Sequence, residues 1–146
     1  MKNSELLLHQ LFQTVRIISK GVNKRLESHG IYHSEWSIIV TLYERGSMTQ
    51  GALAVYLNIE PPAVSKSLVK LEQKGFIIRI AGDDRREKKV TLTEKAVEQY
   101  STWSEIIGQH RNSILTNLSE ENQQQLTMLL QVIFQNAQQY ERDVTI

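Results

Sequence analysis

The chain has 146 residues, 40% hydrophobic and 23% charged, with seven glycines and two prolines, a composition that suits one folded domain and excludes a disordered or collagen-like polymer. The absence of cysteine removes disulfide frameworks, thiolate metal sites, cysteine nucleophiles and thiol-oxidation switches together. The net charge of +1 hides an uneven distribution: residues 1–48 hold six basic and four acidic side chains, residues 49–92 eight and five, and residues 93–146 three and seven, so a basic middle is followed by an acidic tail.

Leu8, Leu11, Val15, Ile18 and Val22 recur at spacings of three and four, the stripe of an amphipathic helix that Gly30 ends. Ser34 as N-cap, with Glu35 in the first turn, predicts a second helix through Trp36 to Glu44, before Gly46. A third runs from its cap Thr49 to about Leu57, and Asn58 and Ile59 then leave room only for a tight turn. The fourth opens with the chain's only prolines, Pro61 and Pro62, at positions where a missing N–H does no harm, and stops at Gly75. Its inner stripe is Val64, Leu68 and Leu71; its outer side offers Pro62, Ala63, Ser65, Lys66, Lys70 and Lys74.

After Gly75 the period changes to two, placing Phe76, Ile78 and Ile80 on one face, with Val90 and Leu92 on the returning strand. Between them lies a charged tip, residues 82–89. Thr93 with Glu94 starts a fifth helix, with apolar positions Val97, Tyr100, Trp103 or Ser104, Ile107 and Ile114. Ser119 with Glu120 and Glu121 starts a sixth, striped by Leu126, Leu130, Ile133 and Ala137. No segment approaches the ~18 uninterrupted apolar residues of a membrane span, and the opening residues lack a cationic region followed by an apolar stretch, so a cytoplasmic protein away from membranes is expected.

Two short helices joined by a tight turn and followed by a hairpin predict a winged helix-turn-helix, in a fold that is mainly α with a small β-hairpin wing. A projecting helix about 10 to 12 Å across matches the ~12 Å major groove of B-DNA. Ala63 and Ser65 are small enough for its N-terminal end to sit deep beside Pro62, while Lys66, Lys70 and Lys74 suit phosphates, and Lys66 also a guanine edge. On the tip, Arg85 and Arg86 are placed to enter a minor groove, with Lys88 behind them and Asp84 positioned to hold the Arg86 guanidinium. Double-stranded DNA is the expected partner.

The runs Thr49-Gln50-Gly51-Ala52-Leu53-Ala54, Pro61 to Ile77, Asp84-Arg85-Arg86 and Val90-Thr91-Leu92-Thr93-Glu94-Lys95 resemble the MarR family of bacterial transcriptional regulators. The resemblance covers nearly the whole chain, and its most specific part is the Asp-x-Arg tip followed by Val-x-Leu-Thr. It implies a homodimer built from the terminal helices, recognition around Ser65 and Lys66, Arg86 in the minor groove, and repression relieved by a small ligand. Ala96 departs from the family, which often has glycine there.

The long apolar stripes at both ends exceed what so small a wing domain covers, which also points to an isologous two-fold dimer on pseudo-palindromic DNA, the alternative being an intramolecular bundle of the terminal helices. The expected organisation is a helical dimerisation region of residues 1–30 and 93–146 around a DNA-binding domain of residues 31–92. A small-molecule effector would sit between arm and wing domain, with Tyr32, His33, Trp36 and Trp103 as candidate lining, although core packing suits each aromatic better. The histidines His9, His29, His33 and His110 do not make a persuasive metal site, and no cofactor motif, nucleophile elbow or phosphate-binding glycine pattern marks an enzyme. The competing reading is a winged-helix protein adaptor that does not bind DNA.

Overall fold

The structure, a computed structural model, describes residues 2–84 and 86–145. In chain order the elements are α1 (Asn3–Glu27), α2 (His33–Arg45), β1 (Met48–Thr49), α3 (Gln50–Leu57), α4 (Pro61–Gln73), β2 (Ile77–Ala81), β3 (Lys88–Leu92), α5 (Glu94–Ile114) and α6 (Glu120–Val144). The strands form one antiparallel sheet ordered β1-β3-β2, with Met48 opposite Val90 and Ile77 opposite Leu92. The chain divides into two units after Arg111.

In the first unit the local signals act much as their chemistry dictates. The Thr49 hydroxyl accepts the Ala52 N–H at 3.1 Å and caps α3. Asn58, in the left-handed region at φ 53°, then reverses the chain, and Ile59 N–H returns to the Ala54 carbonyl at 3.0 Å. Asn58, Ile59 and the N-cap Glu60 thus make the whole connection between α3 and α4. Gly75, at φ 79°, ends α4 in a conformation that costs a side-chain-bearing residue strain, and Phe76 N–H bonds back to the Leu71 carbonyl at 3.0 Å.

One core runs through this unit. It takes Val22 and Leu26 from α1, Trp36, Ile38, Ile39 and Leu42 from α2, Leu53 from α3, and Val64, Leu68 and Leu71 from α4. Ile31, Ala54, Phe76, Ile77, Val90, Ala96 and Trp103 also belong to it. Trp103 is wholly buried, edge-on to Phe76 with centroids 4.8 Å apart, and its indole N–H donates to the His29 carbonyl at 3.1 Å. The largest core side chain thus has its one polar atom satisfied. In the second unit Ser119 caps α6 by accepting the Asn122 N–H at 3.1 Å, and no residue of that helix is buried.

Several expectations need correction. The second helix begins one residue before Ser34; Tyr32 is its N-cap, because the Glu35 carboxylate reaches back to the Tyr32 N–H at 2.9 Å. The two-residue strand β1 was not anticipated, being too short to show an alternation. On β2 the inward residue is Ile77, while Ile78 and Ile80 are 49% and 41% exposed. Phe76 belongs to the buried turn closing α4, whereas Ile78 and Ile80 share the outward face of the strand. On α5 the buried residues are Ala96, Trp103 and His110, seven apart, and Val97 is exposed.

Candidate nucleic-acid interface

α4 is pinned to the body by Val64, Leu68 and Leu71, so at 100° per residue its opposite face is turned outward. Pro62, Ala63, Lys66 and Lys70 are exposed there, and Ser65 is half-buried at the flank. Val69 and Gln73 are also exposed on this side, and a search for cations overlooked them. Their signal was spacing: they lie three and seven residues after Lys66. Both types have base-edge chemistry, a glutamine pairing with adenine and an aliphatic side chain meeting the thymine methyl.

Lys74, expected on the outward face, is turned toward the body. Its ammonium sits 2.7 and 2.9 Å from the two carboxylate oxygens of Glu35, a residue only 1% exposed. It also lies 5.1 Å from the centre of the Tyr32 ring, with Lys70 at 5.9 Å from the same ring. The reason is angular: Lys74 falls beside the buried stripe rather than opposite it, within reach of the α2 N-terminus.

The wing tip is held by its backbone. The Asp84 carboxylate accepts the Arg86 N–H at 3.1 Å, the Asp84 carbonyl accepts the Glu87 N–H at 3.0 Å, and Gly82 N–H donates to the Glu87 carbonyl at 2.9 Å. A Cβ at Gly82 would stand 2.9 Å from that carbonyl oxygen, so the tip requires glycine there. Asp84 was expected to grip the Arg86 guanidinium; among the described residues the ion pairs are Lys74–Glu35 and Arg79–Glu72. With Arg86 only two positions on, the carboxylate meets the nearer partner, the backbone N–H, in an Asx turn. Arg86 and Lys88 are exposed, whereas Arg85 lies outside the described residues.

Arg79 ties the wing to α4 and α3, donating from Nε to Glu72 at 3.0 Å and from Nη1 to the Gln50 side chain at 3.1 Å. A groove of about 370 Å³ lies beside α4, lined by Asn23, Tyr32, Ser34, Glu35, Ala63, Lys66, Ser67 and Lys70. Of the candidate effector residues only Tyr32 lines it. Trp36 and Trp103 are core residues, and His33 donates its backbone N–H to Asn23 Oδ1 at 2.7 Å. Among the described residues no three His, Asp or Glu side chains gather as a metal site, and no helix is long and apolar enough to cross a membrane.

Comparison with known proteins gives a consistent result. Residues 31–88 match the MarR family. The chain is 34% identical over 129 residues to the uncharacterized HTH-type transcriptional regulator YwoH of Bacillus subtilis, covering 88% of this chain and 94% of that one. Among solved structures, MepR of S. aureus in complex with DNA superposes with a TM-score of 0.83 at 21% identity, over 93% of this chain and 99% of that one. The organohalide-sensing regulator RdhR-CbdbA1625, bound to 2,4-dichlorophenol, gives a TM-score of 0.86 at 22% identity, over 93% and 82%. At such identity these two likenesses speak for the winged-helix fold alone.

Proposed function

Because the chain belongs to the MarR family of transcriptional regulators, we propose that it works as a sequence-specific DNA-binding repressor, a cytoplasmic homodimer seated on pseudo-palindromic operators and released by a small-molecule ligand. It is a regulator and not an enzyme. The observation that carries the DNA reading is the outward face of α4, where Lys66 and Lys70 stand exposed around the small residues Ala63 and Ser65. In this reading α4 enters the major groove with Pro62, Ala63, Ser65 and Lys66 near base edges and Lys70 on a phosphate. Lys74 contributes through the body, and Asp84, Arg86 and Lys88 serve the wing, with Arg85 beside them.

Residues 31–92 then read DNA, and residues 1–30 and 93–146 assemble the dimer. The exposed apolar side chains on α1 and α6, among them Phe12, Ile17, Leu129 and Phe134, support that division. Two proteins of the same fold, one seen on DNA and the other with a chlorinated phenol, are the precedent for the DNA and effector parts of this reading. The groove beside α4 is the effector site we favour, because its lining shares Ala63, Lys66 and Lys70 with the reading face, so occupancy and DNA contact compete for the same side chains.

The test is the salt dependence of binding. Lys70→Ala should weaken binding to all duplexes and flatten the slope of log K against log salt by about one unit, the release of roughly one counterion. Ser65→Ala and Lys66→Ala should also change sequence preference. An unchanged slope in Lys70→Ala removes α4 from the phosphate backbone and favours a protein adaptor.

A further inference from the structure

The C-terminal end of α4 is secured more heavily than its N-terminal end. At Lys74 the ammonium binds the buried Glu35 carboxylate of α2, while the Lys74 carbonyl accepts the Lys95 ammonium at 2.8 Å. At Gly75 the carbonyl accepts the Thr93 hydroxyl at 2.6 Å. Two neighbouring residues therefore tie the reading helix to the first turn of α2 and to the start of α5. At the other end Glu60, the N-cap, makes no side-chain cap bond, and the chain enters through the Asn58 turn.

We propose that the Glu35–Lys74 pair is a specificity-setting latch, with Glu35 as a positioning residue that acts on DNA through α4. This rests on the reading that α4 enters the major groove. The latch does two things. It fixes the angle at which α4 leaves the body, which decides whether the side chains around Ser65 and Lys66 meet base edges or only phosphates. It also withdraws one cation from the reading head, since an ammonium 2.7 Å from a carboxylate is neutralised before DNA arrives. A free cation there would raise affinity for every sequence alike, and the pair suppresses that indiscriminate term.

An ion pair with one buried partner is weak support for stability, because desolvation of the Glu35 carboxylate offsets much of the attraction; a role in fixing one geometry accounts better for its presence. Glu35 is also doubly engaged, since Oε1 accepts the Tyr32 N–H that starts α2 as well as the Lys74 ammonium. Glu35→Gln keeps an oxygen for the cap and removes the charge.

The experiment measures binding of the full chain to its operator and to a scrambled duplex across a salt series. Glu35→Gln should bind the scrambled duplex more tightly, steepen its salt slope by up to about one unit, and lower the operator-to-scrambled ratio roughly tenfold, the order of losing one base contact. A loss of folded protein alone would weaken both duplexes in proportion and leave both slopes as they were. If Glu35→Gln does not fold, the doubly neutral Glu35→Gln/Lys74→Met stands in, and it should show the lower ratio with the wild-type slope. A wild-type ratio in whichever of these variants folds overturns the latch. The major-groove reading fails separately, if Lys70→Ala leaves the slope unchanged.

Discussion

The two units of the chain bury their apolar residues in opposite measure. In the first, α4 has 13 residues and places Val64, Leu68 and Leu71 out of water; in the second, α6 has 25 residues and buries none. Yet α6 is the more heavily striped, exposing Leu126, Met128, Leu129, Leu130, Val132 and Phe134. An amphipathic helix gains most of its stability in proteins from packing its apolar face rather than from propensity. A body that closes its own core stands beside a helix that leaves its apolar stripe in water, and in the dimer proposed above a second copy would cover that stripe.

The strongest break of this contrast is removal of residues 119–146. The truncated chain should sediment as a monomer and lose roughly 100-fold or more in operator affinity, because two linked half-site contacts become independent ones. A full-length protein that sediments as a monomer at micromolar concentration contradicts the dimer. Next in size are paired substitutions, one in each unit. Leu68→Ala should cost about 2 to 5 kcal/mol at any protein concentration, as a wholly buried leucine does. Phe134→Ala should lower Tm in a concentration-dependent way, since it weakens association rather than the core. Melting curves over a hundredfold concentration range separate the two.

How much of this was legible in the sequence follows from the same physics. Helix stripes and caps that depend on near neighbours were readable: Thr49, Ser119 and the Val64, Leu68, Leu71 stripe all act as their spacing says. Readings that needed a third dimension were not. Phe76 parts from Ile78 and Ile80 because it belongs to a turn that the Leu71 carbonyl defines, and Lys74 met Glu35, 39 residues away in sequence. Asp84 was placed on the right element with the wrong atom, since the backbone N–H of Arg86 outcompetes a guanidinium at the end of a long side chain.

The wing tip sharpens the comparison at smaller scale, because a surface turn that gives nothing to the core should matter for binding and hardly for folding. Arg86→Ala should cost on the order of 1 to 3 kcal/mol per half-site, more on A·T-rich than on G·C-rich flanks, where the minor groove is wider and its potential weaker. Asp84→Ala removes the acceptor of the Arg86 N–H and should give a milder defect, whereas Asp84→Asn, which keeps an oxygen there, should be nearly silent. Neither arginine nor aspartate variant should shift Tm appreciably. Equal affinity of wild type and Arg86→Ala on both flank types takes the wing off the DNA.

The smallest effect lies at His110 on α5, beside Gly21 of α1. A Cβ at Gly21 would stand 3.2 Å from His110 Nε2, so the imidazole is packed against the α1 backbone. Burial, then the Arg25 guanidinium and His33, hold its pKa below the ordinary histidine value. The folded chain therefore binds fewer protons than the unfolded chain between that lowered value and about 6.5, and stability in this interval rises with pH. The His110 contribution is complete above about pH 6.5 and is lost as the pH falls through the interval, because the unfolded chain takes up the proton first. Tm should thus drop on mild acidification, and His110→Gln, neutral at every pH, should flatten the curve while leaving Tm near neutrality within a few degrees. A wild-type Tm that is level from pH 7 to pH 5 would show that His110 protonates as easily folded as unfolded, and that this junction is open to water rather than closed like the core beside it.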